Sequence, residues 1–340
     1  MIALENDYSQ GAHPQIIKKL VDINLEANSG YGIDRYCESA KKQIRSACEC
    51  PEADIFFISG GTQTNQLVID TMLDSSEGVI AAQTGHVALH EAGAIEYSGH
   101  KVITIPSENG KIKLDELSRF LKLFKEDPSN EHVVQPGMVY ISQPTEYGTM
   151  YSREELVELR KICDAYDLPL YADGARLIYG LSSKDAVQLP ELARLCDVFY
   201  IGGTKVGTLY GEAVVFTRKN TPKHFFTKIK QHGALMAKGW LMGAMFTELF
   251  TDDLYKKIGK TAIDAAIELR RILAEKGYNF FIDSDTNQSF PIIEDKKLEE
   301  LSQIMSYTVW ERFDDTHTVI RLATSWATQM DEIISLKECL

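Results

Sequence analysis

Residues 197–207 read DVFYIGGTKVG, and residues 168–176 read LPLYADGAR. In each, an apolar run short enough for a buried strand stops at small residues, and a polar group follows where the backbone turns. The first run presents Lys205; the second presents Asp173 and Arg176. Ligands of open α/β sheets collect beyond the carboxyl ends of the strands, so two such ends bring a cation and an anion to one cleft. A lysine partly desolvated there has a lowered pKa and becomes a usable amine nucleophile.

Working outward, residues 55–58 make a short apolar strand, followed by SGGTQTN over 59–65 and an apolar helix. The free N–H groups of that first helical turn and the Thr62 hydroxyl suit a phosphate, and glycine lets the backbone come close. They equally suit a plain strand-to-helix turn capped by Thr62. The run lacks the lysine of GxxxxGK[ST] and the spacing of GxGxxG, which disfavours a nucleotide loop and a dinucleotide fingerprint. After a strand at 79–82, Gly85 and His86 open a helix expected to run through His90 and Glu91 towards Tyr97. His86 thereby sits at the same kind of strand end as Thr62, Asp173 and Lys205, where an imidazole can stack on a flat ring. Glu146 follows a strand at 138–142 and faces that edge too. A lysine amine with an aspartate for a heteroaromatic nitrogen is the pairing that pyridoxal 5'-phosphate requires.

Strands and helices alternate from 55 to 216, which predicts an α/β fold with a mostly parallel sheet covered by helices on both faces. The connection from Lys205 to a strand at 213–216 is too short for a helix and predicts an antiparallel partner. Ser152 and Glu155 form a capping-box pattern. Before the sheet, Pro14 suits the first turn of a helix. Residues 28–36, NSGYGIDRY, read as an exposed loop, or as one whose tyrosines and arginine reach a ligand or a neighbouring subunit. From 222 the pattern is helical, with segments at 225–229, 235–250 and 254–273. Strands at 280–282, 288–292, 308–313 and 318–322 then surround a helix at 295–305. This divides the chain into a cofactor-binding domain, 1–245, and a smaller C-terminal α+β domain, 246–340. Arg321 ends a strand there, and its forked guanidinium suits a carboxylate.

The chain has 340 residues, 44% of them hydrophobic and 25% charged, ordinary values for a globular protein. Its 36 basic and 49 acidic residues leave a net charge of -13, which repels nucleic acid and anionic membrane. There is no basic leader and no window near the ~20 apolar residues of a membrane span, so a cytoplasmic protein is expected. The six cysteines include no CxxC pair, so neither a metal site nor a disulfide framework is indicated.

Taken in order, NDYSQGAHP, SGYGID, SGGTQTN, GHVALHEAGA, YADGARL, GGTKVG and VIRLAT resemble the threonine aldolase family, in the beta-eliminating lyase group of pyridoxal-phosphate enzymes of fold type I. The resemblance covers nearly the whole chain. It implies that Lys205 forms the Schiff base, Asp173 holds the pyridinium proton and Arg176 contacts the ring hydroxyl region. It implies that Gly61, Thr62 and Gln63 hold the phosphate, and that His86 stacks on the ring and relays a proton at the substrate β-hydroxyl. Arg321 would bind the amino acid carboxylate, while Tyr31 and Asp34 would lie near the pocket of an adjoining subunit in a homodimer or homotetramer with shared active sites. The chain departs from the family pattern at Asn6, at Pro144-Thr145-Glu146 and at HGALMAKGW, where Lys238 is the available cation. These departures bear on the substrate, and they place Asn6 and Glu146 among its candidate contacts. The expected activity is cleavage of a β-hydroxy-α-amino acid to glycine and an aldehyde. β-Elimination, aminotransfer and a non-catalytic binding role on the same scaffold are the alternatives.

Overall fold

Seven strands form the central sheet of the computed structural model, which describes residues 1–184 and 186–340. They are β1 (Asp54–Ile58), β2 (Glu77–Ala82), β3 (Val102–Ile105), β4 (Gln135–Ser142), β5 (Leu170–Asp173), β6 (Val198–Gly202) and β7 (Glu212–Phe216). Their order across the sheet is β1-β7-β6-β5-β4-β2-β3. All neighbours are parallel except β7, which runs antiparallel to both β6 and β1. The short return after Lys205 therefore does what its length demands. Strands β5, β6 and β7 are buried along their whole length. Their residues alternate between two cores: Phe199, Ile201, Ala213 and Val215 on one face, Val198, Tyr200, Val214 and Phe216 on the other.

The parallel strands all end at one edge. Because β7 is antiparallel, its first residue, Glu212, begins at that same edge and pairs with Gly202. The helices after β1 and β2, α1 (Gly61–Met72) and α2 (His86–Leu89), start there too.

The smaller sheet comprises β8 (Gln288–Ser289), β9 (Ile292–Glu294), β10 (Thr308–Arg312) and β11 (His317–Ala323), with β11 pairing antiparallel to the other three. The chain's first residues join this region: Ile2 and Ala3 pair with Met305 and Ser306, and Leu4 is buried in its core. The long helix α3 (Leu254–Glu275) serves both cores. Its first half buries Leu254, Ile258 and Ala262 against the large core, and its second half buries Leu269, Ile272 and Leu273 in the small one. It ends at Gly277, whose φ of 82° is the left-handed conformation that terminates helices. The Ser152–Glu155 capping box is present, with both reciprocal bonds made.

Several local expectations are corrected. The expected strand at 280–282 reduces to one bridge, Phe280 to Pro291. The run at 288–292 splits into β8 and β9 around Pro291, which has no N–H for a ladder. The helix expected from 235 begins only at Trp240. The helix expected from His86 to Tyr97 breaks at Ala92 and Gly93, both with positive φ, leaving two single turns. No helix among the described residues is long and apolar enough to cross a membrane.

Candidate active site

At the common strand edge lies a cavity of about 280 Å³ whose lining includes Gly61, Thr62, His86, Asp173, Arg176 and Lys205. Residues named from separate strand ends are thus gathered in one place, and Glu146 joins them. A larger hollow of about 960 Å³, beside Tyr255 and Lys256, contains none of the predicted residues.

Lys205 follows β6 on a turn held from several sides. The Glu212 carboxylate accepts hydrogen bonds from Gly203 N at 2.9 Å and Thr204 Oγ1 at 2.7 Å, and the Tyr179 hydroxyl donates to Lys205 O at 2.7 Å. Burial lowers the lysine's pKa to about 8, and the cation of Arg176 adds to the effect against the pull of the neighbouring carboxylates. Burial also pushes Glu212 upward. An amine in this state is available as a nucleophile near neutral pH.

Asp173 ends β5, buried among polar partners. Its Oδ2 accepts from Tyr140 OH at 2.7 Å and Asn65 Nδ2 at 2.9 Å, and its Oδ1 accepts from Ala175 N at 3.0 Å. Tyr171 OH in turn donates to Asn65 Oδ1 at 2.7 Å. Burial opposes ionisation, but the facing His86 and the hydrogen bonds from Tyr200, Asn65 and Tyr140 outweigh it, so the carboxyl stays below its ordinary range. A persistently ionised carboxylate at the floor of a cleft suits a protonated ring nitrogen.

His86 opens α2. Glu146, expected at the same edge, does lie there, but it meets the backbone and not the ring of His86: its Oε1 accepts from the His86 backbone N–H at 2.9 Å and from Ser142 Oγ at 2.6 Å. The carboxylate on the imidazole is Glu91, with Oε1 2.9 Å from Nδ1. Asn65 Nδ2 donates to the same oxygen at 2.7 Å. Burial raises the pKa of both glutamates. Each also keeps one buried oxygen, Oε2, without a partner.

The N-terminus of α1 is open. Gly60 occupies the cap position with no side-chain bond, so Thr62 is not a cap, and it is Thr64 whose hydroxyl bonds back to Gly60 O. The first N–H groups of the helix are left for an anion. Gln63 turns away, bonded to Ser59 and to His232 O.

Arg176 forks onto Asp7, at 2.7 and 3.0 Å, and Asp7 also accepts from Asn287 Nδ2 at 2.9 Å. Arg321 lies on the small-domain side, with Nε buried and unpartnered. Asn6 accepts from Tyr8 N and Ser9 Oγ in its own turn. Asp34 caps the helix Arg35–Ala47 through Tyr36 N and Cys37 N. Tyr31 is exposed, with Lys230 Nζ 4.7 Å from its ring centre. Arg321, Asn6, Asp34 and Tyr31 do not line the cavity within this chain, whereas Arg176 does. Lys238 is exposed as well. Among the described residues no cluster of three or more His, Cys, Asp or Glu side chains could hold a metal ion.

Residues 7–282 match the beta-eliminating lyase family. The chain belongs to that family. A solved threonine aldolase from Leishmania major superposes with a TM-score of 0.96 at 40% identity, covering 99% of this chain and 98% of that one. The low specificity L-threonine aldolase of Pseudomonas aeruginosa is 28% identical over 301 residues, 87% of this chain and 85% of its own length. A putative L-allo-threonine aldolase from Listeria monocytogenes shares the fold, with a TM-score of 0.77 at 16% identity over 99% of this chain and 95% of that one. As a member, this beta-eliminating lyase is a fold type I enzyme that works with pyridoxal phosphate. Its cleft fits that group: a buried amine, a buried carboxylate opposite it and an uncapped helix start at one cavity.

Proposed function

We propose that this lyase cleaves β-hydroxy-α-amino acids of the threonine type to glycine and an aldehyde. The observation that carries the reading is the Glu91–His86 pair at the mouth of a cleft that also contains Lys205 and Asp173. Glu91 accepting from Nδ1–H leaves Nε2 free to take a proton, and retro-aldol cleavage needs a base for the β-hydroxyl.

Pyridoxal phosphate, when bound, supplies the sink for the electron pair released as the Cα–Cβ bond breaks. Lys205 would supply the amine for its covalent attachment. Asp173, held ionised, would keep a proton on the ring nitrogen. The N–H groups at Gly61 and Thr62 would hold its phosphate, with Gln63 supporting the turn. Arg176, fixed by Asp7, would contact the ring hydroxyl. Arg321 holds the substrate carboxylate and so sets which bond at Cα stands perpendicular to the ring. Glu146, anchored on the His86 backbone, borders the space of the β-substituent, and Asn6 shapes the turn beside Asp7. Tyr31 and Asp34 belong to the cleft of a neighbouring copy in a homodimer or homotetramer. In support, Tyr31 is exposed, its N–H donates to Ala237 O, and it does not line this chain's cavity.

Incubating the holoenzyme with L-threonine or L-allo-threonine should yield glycine and acetaldehyde in equal amounts, with little pyruvate from L-serine or L-cysteine. Pyruvate and ammonia from the latter, with no glycine from the former, would replace aldol cleavage by β-elimination.

A further inference from the structure

Trp310 stands where the small domain meets the large one. In β10, Val309 pairs with Ile320 and Glu311 with Val319, so Trp310 is the extra residue of a bulge. Bulges re-aim a side chain, and this one delivers the indole to the junction of the two domains. There it meets Phe290 edge-on at 5.2 Å and, from the large domain, Tyr147 edge-on at 5.5 Å. The Arg321 guanidinium carbon stands 5.4 Å from the indole centre. On the large-domain side His90 lies 6.2 Å from the indole, and His86 lies 5.6 Å from His90.

Arg321 has little else to define its plane. Its Nη2 makes two long hydrogen bonds, 3.4 Å to Glu5 O and 3.4 Å to Thr308 Oγ1, and its Nε is buried without a partner. A guanidinium recognises a carboxylate through a planar fork, so the orientation of that plane matters as much as the charge. The aromatic face it stands over is the indole of Trp310.

We propose that Trp310 is a positioning residue for amino acid binding: its indole sets the plane of Arg321 and, through His90, ties that plane to the turn bearing His86. The inference rests on the reading that Arg321 holds the substrate carboxylate. It adds that the small domain's grip on the substrate is set by an aromatic residue that touches neither the cofactor nor the reacting atoms.

The test uses holoenzyme carrying Trp310→Leu, which keeps apolar bulk without a π face, Trp310→Phe, Arg321→Ala, and the Leu and Ala changes together. Glycine binding is measured by calorimetry, KM and kcat with L-threonine, and thermal midpoint and cofactor content alongside. Trp310→Leu should raise KM and the glycine dissociation constant about 3- to 30-fold, the span of cation–π contributions from exposed to desolvated sites. Its kcat should change less, and cofactor content should hold. Trp310→Phe should recover most of the loss. In the Arg321→Ala background the Leu change should weaken glycine binding no further, because coupled residues are not additive. A lowered thermal midpoint with glycine binding unchanged, or fully additive losses, would reduce Trp310 to domain packing and overturn the inference. Arg321→Ala that binds glycine normally would instead overturn the carboxylate reading beneath it.

Discussion

Glu91 Oε1 lies 2.9 Å from His86 Nδ1 and accepts a second hydrogen bond from Asn65 Nδ2, which also donates to Asp173. The imidazole at the cleft mouth and the carboxylate at its floor are therefore oriented by one buried amide. Whatever turns Asn65 moves both.

Glu91→Gln tests this arrangement. An amide can present its NH₂ to Nδ1, which would leave the proton on Nε2 and remove the base. Threonine cleavage by the holoenzyme should fall towards the roughly 10²–10⁴-fold limit set by general-base catalysis, with cofactor content and KM little changed. Steady-state kinetics against the parent decide it. A parental kcat would mean that Glu91 only packs.

The residues at strand ends were legible because each follows a short apolar run: Lys205 after VFYI, Asp173 after LYA, His86 four residues past the strand at 79–82. The partners that set their chemistry were not. Asn65, Glu91 and Tyr140 are far apart in sequence and meet at Asp173 and His86 because β4 and β5 are neighbours and because α1 and α2 start from the same sheet edge. Glu91 did leave a trace, since the glycine of HEAGA marks the break that lets it fold back on His86. Asp34 left a clearer one, as an Asp immediately before an amphipathic helix is a cap signal. The bulge at Trp310 had none, because its cause is the register of β10 against β11.

Lys205 carries a prediction in pH. A pKa lowered to about 8 from the usual 10.5 means that the neutral, nucleophilic amine accumulates as pH rises through 8. Covalent capture of pyridoxal phosphate by apo-protein, followed by absorbance in a stopped-flow instrument, should accelerate with pH and level off above about 8. Glu212→Gln removes a carboxylate that favours the ammonium and should move the onset lower. A rate still climbing beyond pH 10 would place the amine in water.

Asp7 and Arg176 form a buried pair joining the chain's start to the end of β5. Burial opposes the charge on Asp7, but Arg176, followed by Lys205, outweighs it and holds its pKa below 3.8. The stabilisation is therefore fully present above the unfolded value and is lost as pH falls through the lower folded one. Asp7→Asn strands a buried guanidinium and should cost about 3–5 kcal/mol in urea unfolding at neutral pH. The variant should also lose part of the acid dependence of the parent. Equal stability at neutral pH would show that a neutral amide in place of the carboxylate still satisfies Arg176.

The most direct measurement is the cleavage of L-threonine by His86→Phe holoenzyme, with aldehyde release as the readout and the visible spectrum as the check on bound cofactor. A phenyl ring keeps a stacking face and deletes the base. The account predicts intact cofactor and aldehyde release slower by about 10²–10⁴-fold. Release at nearly the parental rate would contradict it, leaving His86 as a stacking surface and the base elsewhere.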